Sequence, residues 1–182
     1  VVKIKNIMKV SIVGKGLISL TLAKTLVNKG ISVDVFSGTP IRNIDKSRFL
    51  GISKTNIDFF NRSIININKF LWKINKIDIF TNNLKNEKVL NFENKNQLFS
   101  TIRNNDLYNH LIKDLKKNKL FKIKKNFTNQ LLEKKEYELI INCDFQSFLT
   151  KKFFFKKIYK DYNSYAHTAI IDHKRKINNN IA

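Results

Sequence analysis

Gly14, Gly16 and Ser19 stand in the spacing G-x-G-x-x-S, with Leu17 directly after the second glycine. Residues of these types at this spacing can hold a diphosphate. The first glycine lets the chain turn sharply, and the second lets backbone amides approach a pyrophosphate closely. A small third residue permits close helix–strand packing. This is binding chemistry rather than bond-breaking chemistry: free N–H groups and the positive end of a helix dipole face the anion. A second candidate is Asp144, which ends the apolar run YELIINCD. An acid at the end of an apolar strand needs a partner or a ligand.

The elements around these residues follow from pattern. Residues 10–13 are a short apolar strand, an amphipathic helix follows the glycine turn, and residues 32–36 are a second strand. That order is the opening βαβ of a dinucleotide-binding fold. The only proline, Pro40, lies in the next loop, before RFLGIS at residues 48–53. A helix is predicted after it, capped by Ser53 or Thr55, with Ile57, Phe59 and Phe60 facing inward. Residues 64–99 shift towards alternation, which predicts two or three strands of a small sheet joined by Asn-rich turns. Residues 102–118 read as a helix with Leu107, Leu111, Ile112 and Leu115 as its apolar stripe. Residues 121–127 are a strand candidate, residues 137–144 a buried parallel strand, and residues 162–171 a further strand. The fold class predicted is α/β: a Rossmann-like fold with a mostly parallel central sheet and a small inserted antiparallel sheet.

Composition bounds the alternatives. The 182 residues carry a formal charge of +21, which ordinarily points to nucleic acid or an anionic membrane surface. The charge comes from 30 Lys and only 5 Arg, beside 25 Asn and 25 Ile, all residues with A/T-rich codons. Dedicated nucleic-acid surfaces use more Arg, so nucleic acid is not the expected partner. The single Cys143 excludes an internal disulfide framework, and in an apolar strand it reads as a core thiol. No run of about 18 apolar residues predicts a membrane span. KKFFFKK, residues 151–157, is the candidate for contact with an anionic membrane, against a plainer reading as a core strand or helix end. His110 reads as a surface or half-buried helix residue; His167 and His173 have a poor metal-ligand spacing, and Trp72 and the phenylalanines read as core.

The order of these features resembles the flavin-dependent aromatic hydroxylases, and within them the FAD monooxygenases of ubiquinone biosynthesis. RFLGISKTNIDFF is similar to their segment after the second strand. FSTIRNNDLYNHLIKDL is similar to the stretch that opens their flavin-side helix. YELIINCD with Ser147 is similar to the strand that ends in an Asp-Gly motif. SYAHTAIIDHKRKINNNIA is similar to the entry into their substrate domain.

The resemblance implies FAD as cofactor and NAD(P)H as reductant. Oxygen from O₂ would be delivered to the ring of a polyprenylated phenol. Gly14, Gly16, Leu17 and Ser19 would hold the pyrophosphate, and Arg48 would lie near the flavin or its phosphates. Asn104 or Asn105 would contact the cofactor at a helix start, and Asp144 would reach the nucleotide side. Residues 1–160 would be the FAD/dinucleotide-binding domain, with the inserted sheet at about 64–99. Residues 161–182 would begin a truncated substrate domain, and a cytoplasmic place at the inner membrane face, with partners in a ubiquinone-biosynthesis complex, would follow. This sequence departs from the pattern at two places. Ser37 stands where the second strand should deliver an acid to the ribose, so Arg42 nearby keeps a 2′-phosphate reading open. Phe145 stands where the motif has glycine.

Overall fold

A computed structural model of the protein describes residues 8–37, 48–81, 87–154, 156 and 158–165. The chain divides into two compact units. The first comprises Val1–Ile44 and Tyr108–Ala166, the second Asp45–Leu107 and His167–Ala182.

The first unit is built on β1 (Lys9–Val13), α1 (Leu17–Asn28) and β2 (Ser32–Phe36). β1 and β2 run in parallel with Ile12 opposite Val35 and Val13 opposite Phe36. β8 (Phe121–Lys124) adds in parallel to β2, and β9 (Leu139–Asn142) adds in parallel to β1. Among the described residues the sheet order is β8-β2-β1-β9. Val10, Ile12, Val33 and Val35 are fully buried, as expected of β-branched residues in central strands covered on both faces. On the other face of the pleat Val13 and Phe36 cluster with Phe127, Tyr137 and Leu149. The rings of Phe36 and Phe127 meet edge to face at 5.0 Å. α1 buries Ser19, Leu20, Ala23 and Val27, at the i, i+1, i+4, i+8 spacing of a core-facing stripe. Lys24 Nζ lies 2.6 Å from Asp114 Oδ2, tying α1 to α3 (Asn104–Leu115).

Leu107, Leu111 and Leu115 of α3 are buried as the periodicity predicts, while Ile112 is half-buried. The helix starts later than residue 102 because β7 (Phe99–Arg103) claims those residues. Two further short helices, α4 (Asn129–Glu133) and α5 (Phe148–Phe153), flank β9. β9 is an edge strand rather than a buried one: Leu139 is exposed and the rest half-buried. An apolar run cannot by itself distinguish a central strand from an edge strand.

The second unit is antiparallel. β3 (Phe49–Ile52) and β4 (Trp72–Ile74) flank β7, while among the described residues β5 (Lys76–Phe80) pairs with β6 (Lys88–Glu93) alone. Between β3 and β4 lies α2 (Lys54–Ser63), followed by a 3₁₀ turn at Asn68–Phe70. Ser53 caps α2, its hydroxyl accepting from the Asn56 N–H at 3.3 Å. Ile57 is buried, but Phe59 points to solvent, correcting its expected inward face. Trp72 is likewise exposed rather than core, because β4 is an edge strand. Residues 162–165 form no strand, and the remainder of that predicted element lies outside the described residues, as do Pro40, Arg42, His167 and His173.

Candidate functional site

The chain leaves β1 through β2 and β8 on one side and returns with β9 on the other, so the strand order reverses between β1 and β9. In open α/β sheets ligands bind outside the carboxyl ends of the strands at such a reversal. The loops that follow β1 and β9 meet there.

Gly14 takes φ +110° and its N–H donates to the Phe36 carbonyl at 2.9 Å. Side chains rarely tolerate that backbone conformation. A Cβ on Gly14 would also lie 3.2 Å from the Cys143 carbonyl carbon and 3.3 Å from the Asp144 amide nitrogen. The fold itself therefore requires this glycine. Gly16 is different. It is the exposed N-cap of α1 in extended conformation, and a Cβ built on it meets nothing within 4 Å. No neighbour among the described residues demands a glycine there, and among them the space in front of it is open.

The amides facing that space have no acceptor among the described residues. The first backbone bond of α1 runs from the Leu20 N–H to the Gly16 carbonyl at 3.0 Å, so the N–H groups of Leu17, Ile18 and Ser19 have no helical acceptor. No side chain caps the helix and its first turn holds no acid, so the helix itself brings no carboxylate to its positive end. Ser19 is buried, as a residue in the third-glycine position must be. Its Oγ makes no hydrogen bond of normal geometry, yet it lies near enough to the Cys143 thiol to act on it. Burial pushes that thiol up, and the Ser19 hydroxyl partly offsets the rise.

Asp144 follows β9 in the loop that passes Gly14. Its Oδ1 accepts from the Gln146 N–H at 2.9 Å, and its backbone N–H donates to Asn142 Oδ1 at 3.2 Å. Thr150 Oγ1 donates to the Asp144 carbonyl at 3.0 Å, and Ser147 Oγ donates to Asn142 Oδ1 at 2.9 Å. One carboxylate oxygen thus holds the turn. Phe145, in that turn, is exposed. At the end of β2 the Ser37 hydroxyl donates to the Lys124 carbonyl at 3.3 Å. Of the residues expected to bind a cofactor, Gly14, Gly16, Leu17, Ser19 and Asp144 come together at this edge, with Ser37 ending the adjacent strand. In the second unit the Asn104 N–H donates to the Arg48 carbonyl at 2.9 Å, so those two are neighbours, with Asn105 next along α3. Asn104 Oδ1 is buried without a hydrogen-bond partner among the described residues.

Sequence reasoning missed one buried group. Asp34, in the middle of β2, is almost fully buried, and its Oδ2 accepts from the Tyr137 hydroxyl at 2.7 Å and from Lys124 Nζ at 2.9 Å. Lys9 Nζ stands 3.7 Å away. Burial alone would raise the carboxyl, but the hydrogen bonds from Lys124 and Tyr137 and the charges of Lys124 and Lys9 outweigh it, holding it below the ordinary value. Burial, together with Asp34, pushes the Tyr137 hydroxyl up to about 12. The signal was available: a lone acid inside the apolar strand SVDVF demands a cation.

No family model matches the chain, and no curated protein matches it. Solved structures do. Over 66% of this chain it is similar to p-nitrophenol 4-monooxygenase from Pseudomonas putida, at 17% identity and a TM-score of 0.53, covering 32% of that protein. A protein described as a FAD-containing monooxygenase from Photorhabdus luminescens matches 66% of the chain at 18% identity and a TM-score of 0.51, over 31% of its own length. The 2,6-dihydroxypyridine-3-hydroxylase of Arthrobacter nicotinovorans matches 64% at 15% identity and a TM-score of 0.50, over 28% of its length. Identities this low show a shared fold. The chain has the Rossmann-like α/β fold of these monooxygenases and spans about a third of their length.

Proposed function

We propose that this chain is the nucleotide-binding part of a FAD-dependent aromatic hydroxylase, acting on a polyprenylated phenol as in ubiquinone biosynthesis, with NAD(P)H as reductant. The observation that carries the reading is the space in front of Gly16, open among the described residues and faced by the Leu17, Ile18 and Ser19 amides, which have no helical acceptor, at the strand-order reversal. A diphosphate fits that environment: it accepts hydrogen bonds, carries negative charge, and needs room where a Cβ would stand. The resemblance of RFLGISKTNIDFF and FSTIRNNDLYNHLIKDL to the ubiquinone-pathway hydroxylases supports the narrower substrate class.

In this reading Gly16, Leu17, Ile18 and Ser19 grip the diphosphate through backbone N–H groups, and Gly14 shapes the loop. Asp144, through the oxygen not held by Gln146, meets the nucleotide side. FAD, when bound, supplies the redox chemistry that places oxygen on a phenol ring; the protein contributes position, electrostatics and exclusion of water. The cofactor-side roles of Arg48, Asn104 and Asn105 belong to the same proposal.

One observation favours a second reading, a nucleotide-binding remnant without turnover. At the end of β2 the ribose would meet Ser37, whose hydroxyl already donates to Lys124, while Asp34 is bound to Tyr137 and Lys124. Fluorescence titration separates the two. Quenching of FAD fluorescence by the purified protein, abolished by Gly16→Val in a chain with unchanged circular dichroism, supports the hydroxylase. ADP binding without flavin binding supports the remnant, and binding of neither overturns both.

A further inference from the structure

We propose that the surface formed by residues 151–154, 156, 158 and 160–165 docks onto an anionic lipid bilayer. The inference is independent of the flavin reading. α5 is fixed by its first turn: Leu149 is buried with Val13, Phe36, Phe127 and Tyr137, and Phe148 stacks on Phe127 at 6.3 Å between ring centroids. Its last turn and the described residues beyond it, up to residue 165, are exposed. Large apolar side chains there run from 55% exposed at Phe153 and 66% at Phe154 to 100% at Ile158, 73% at Tyr162 and 86% at Tyr165. Isolated exposed aromatics are ordinary, but several of them within one short segment mark an interaction surface.

The series is interleaved with cations. Lys151, Lys152, Lys156 and Lys160 lie within it, against the single acid Asp161. Lys152 Nζ stands 5.5 Å from the Phe153 ring and Lys160 Nζ 5.0 Å from the Tyr162 ring, so charge and ring present together. Phe and Ile enter the acyl boundary, Tyr sits at headgroup level, and Lys reaches lipid phosphates. Charge decides between occupants. A second copy of a chain carrying +21 would bring lysine against lysine. Nucleic acid would have no use for a fully exposed isoleucine and finds no arginine here. An anionic bilayer complements both the lysines and the apolar side chains. No helix among the described residues is long and apolar enough to cross a membrane, so the contact is interfacial.

The test is co-sedimentation of the full 182-residue chain with phosphatidylcholine vesicles and with mixed phosphatidylcholine–phosphatidylglycerol vesicles. Binding to the mixed vesicles and little to the neutral ones is expected. The triple variant Lys151→Gln, Lys152→Gln, Lys156→Gln should weaken it about a hundredfold at low salt, at about fivefold per lysine. Phe153→Ser with Phe154→Ser and Ile158→Ser should weaken it at least tenfold; all six positions are exposed, so circular dichroism stays unchanged. Three results overturn the proposal: no vesicle binding, equal binding to both vesicle types, or binding untouched by either variant. Retention on single-stranded RNA without vesicle binding, or self-association lost on the same substitutions without it, would assign the patch elsewhere and equally overturn it. FAD titration reads the other proposal separately, so neither failure masks the other.

Discussion

The parallel sheet of the first unit and the β5–β6 ribbon of the second use similar apolar residues to opposite ends. In the sheet Ile12, Val33 and Val35 are fully buried. In the ribbon Ile79, Leu90 and Phe92 are exposed although they alternate with polar residues as a half-buried strand should. Register explains the alternation: Ile77 stands opposite Phe92 and Ile79 opposite Leu90, so these four share one face, while Asp78 and Asn91 share the other. On that polar face Asp78 meets Lys88 Nζ at 3.0 Å and Lys76 Nζ at 3.7 Å. Alternation tells which residues share a face. It does not tell whether anything covers that face.

The largest contrast to break is packing. Ile12→Ala opens a void in a fully buried site and should cost about 3 kcal/mol, a large share of the stability of a small domain. Urea unfolding followed by circular dichroism measures it; a loss below about 1 kcal/mol would contradict the burial. The two glycines of the site form the next contrast. Gly14→Ala combines a positive φ with contacts at 3.2–3.3 Å and should cost about 2–3 kcal/mol, with nucleotide binding lost alongside. Gly16→Ala should leave stability within about 0.5 kcal/mol yet weaken nucleotide binding, because its Cβ enters only the open space. Equal unfolding midpoints for the two variants would sink that distinction.

The Asp34 cluster separates charge from packing. Asp34→Asn leaves Lys124 and Tyr137 facing a neutral amide and should cost about 2 kcal/mol, less than for a fully buried pair because Lys9 and Lys124 are partly exposed. The pH dependence has a definite sign. A carboxyl held below its ordinary 3.8 stabilises the fold above that value, and the contribution is lost as pH falls through the lowered one. Tyr137 works at the other end: its contribution is present below 10.0 and is lost as pH rises towards about 12. Both contributions are therefore fully present between those limits, and Asp34→Asn should make the acid limb shallower. An acid limb unchanged by the substitution would show that Asp34 is not the group responsible.

What could be read beforehand follows the same division. β1, α1, β2 and α3 were legible because each has a local rule that matches its tertiary surroundings: a short apolar run, a glycine turn, a 3.6-residue stripe. β3 and β7 were not, because FLGI and FSTIR acquire strand geometry only by pairing with each other across about 50 residues. Phe59 and Trp72 were misplaced for a related reason: hydrophobicity predicts a buried place only where another element supplies the cover. At the candidate site the glycine spacing was visible in the letters, whereas the different duties of Gly14 and Gly16 depend on the passage of residues 143 and 144, which only the folded chain brings near.

The smallest expected effect sharpens the opening contrast most. Phe92→Ser replaces a large aromatic on β6, yet that side chain is about half exposed and its neighbours on the same face, Ile79 and Leu90, are exposed as well. Removing it withdraws little area from cover, and the backbone pairing with Ile77 is unaffected. Stability should change by less than about 0.5 kcal/mol, the range of an ordinary surface substitution. Solubility should rise, because an open apolar ribbon is an aggregation surface. Unfolding midpoints and the protein concentration at which light scattering begins are the two readings. A destabilisation above about 1 kcal/mol would mean that the ribbon face is covered in solution, making the sheet and the ribbon alike after all.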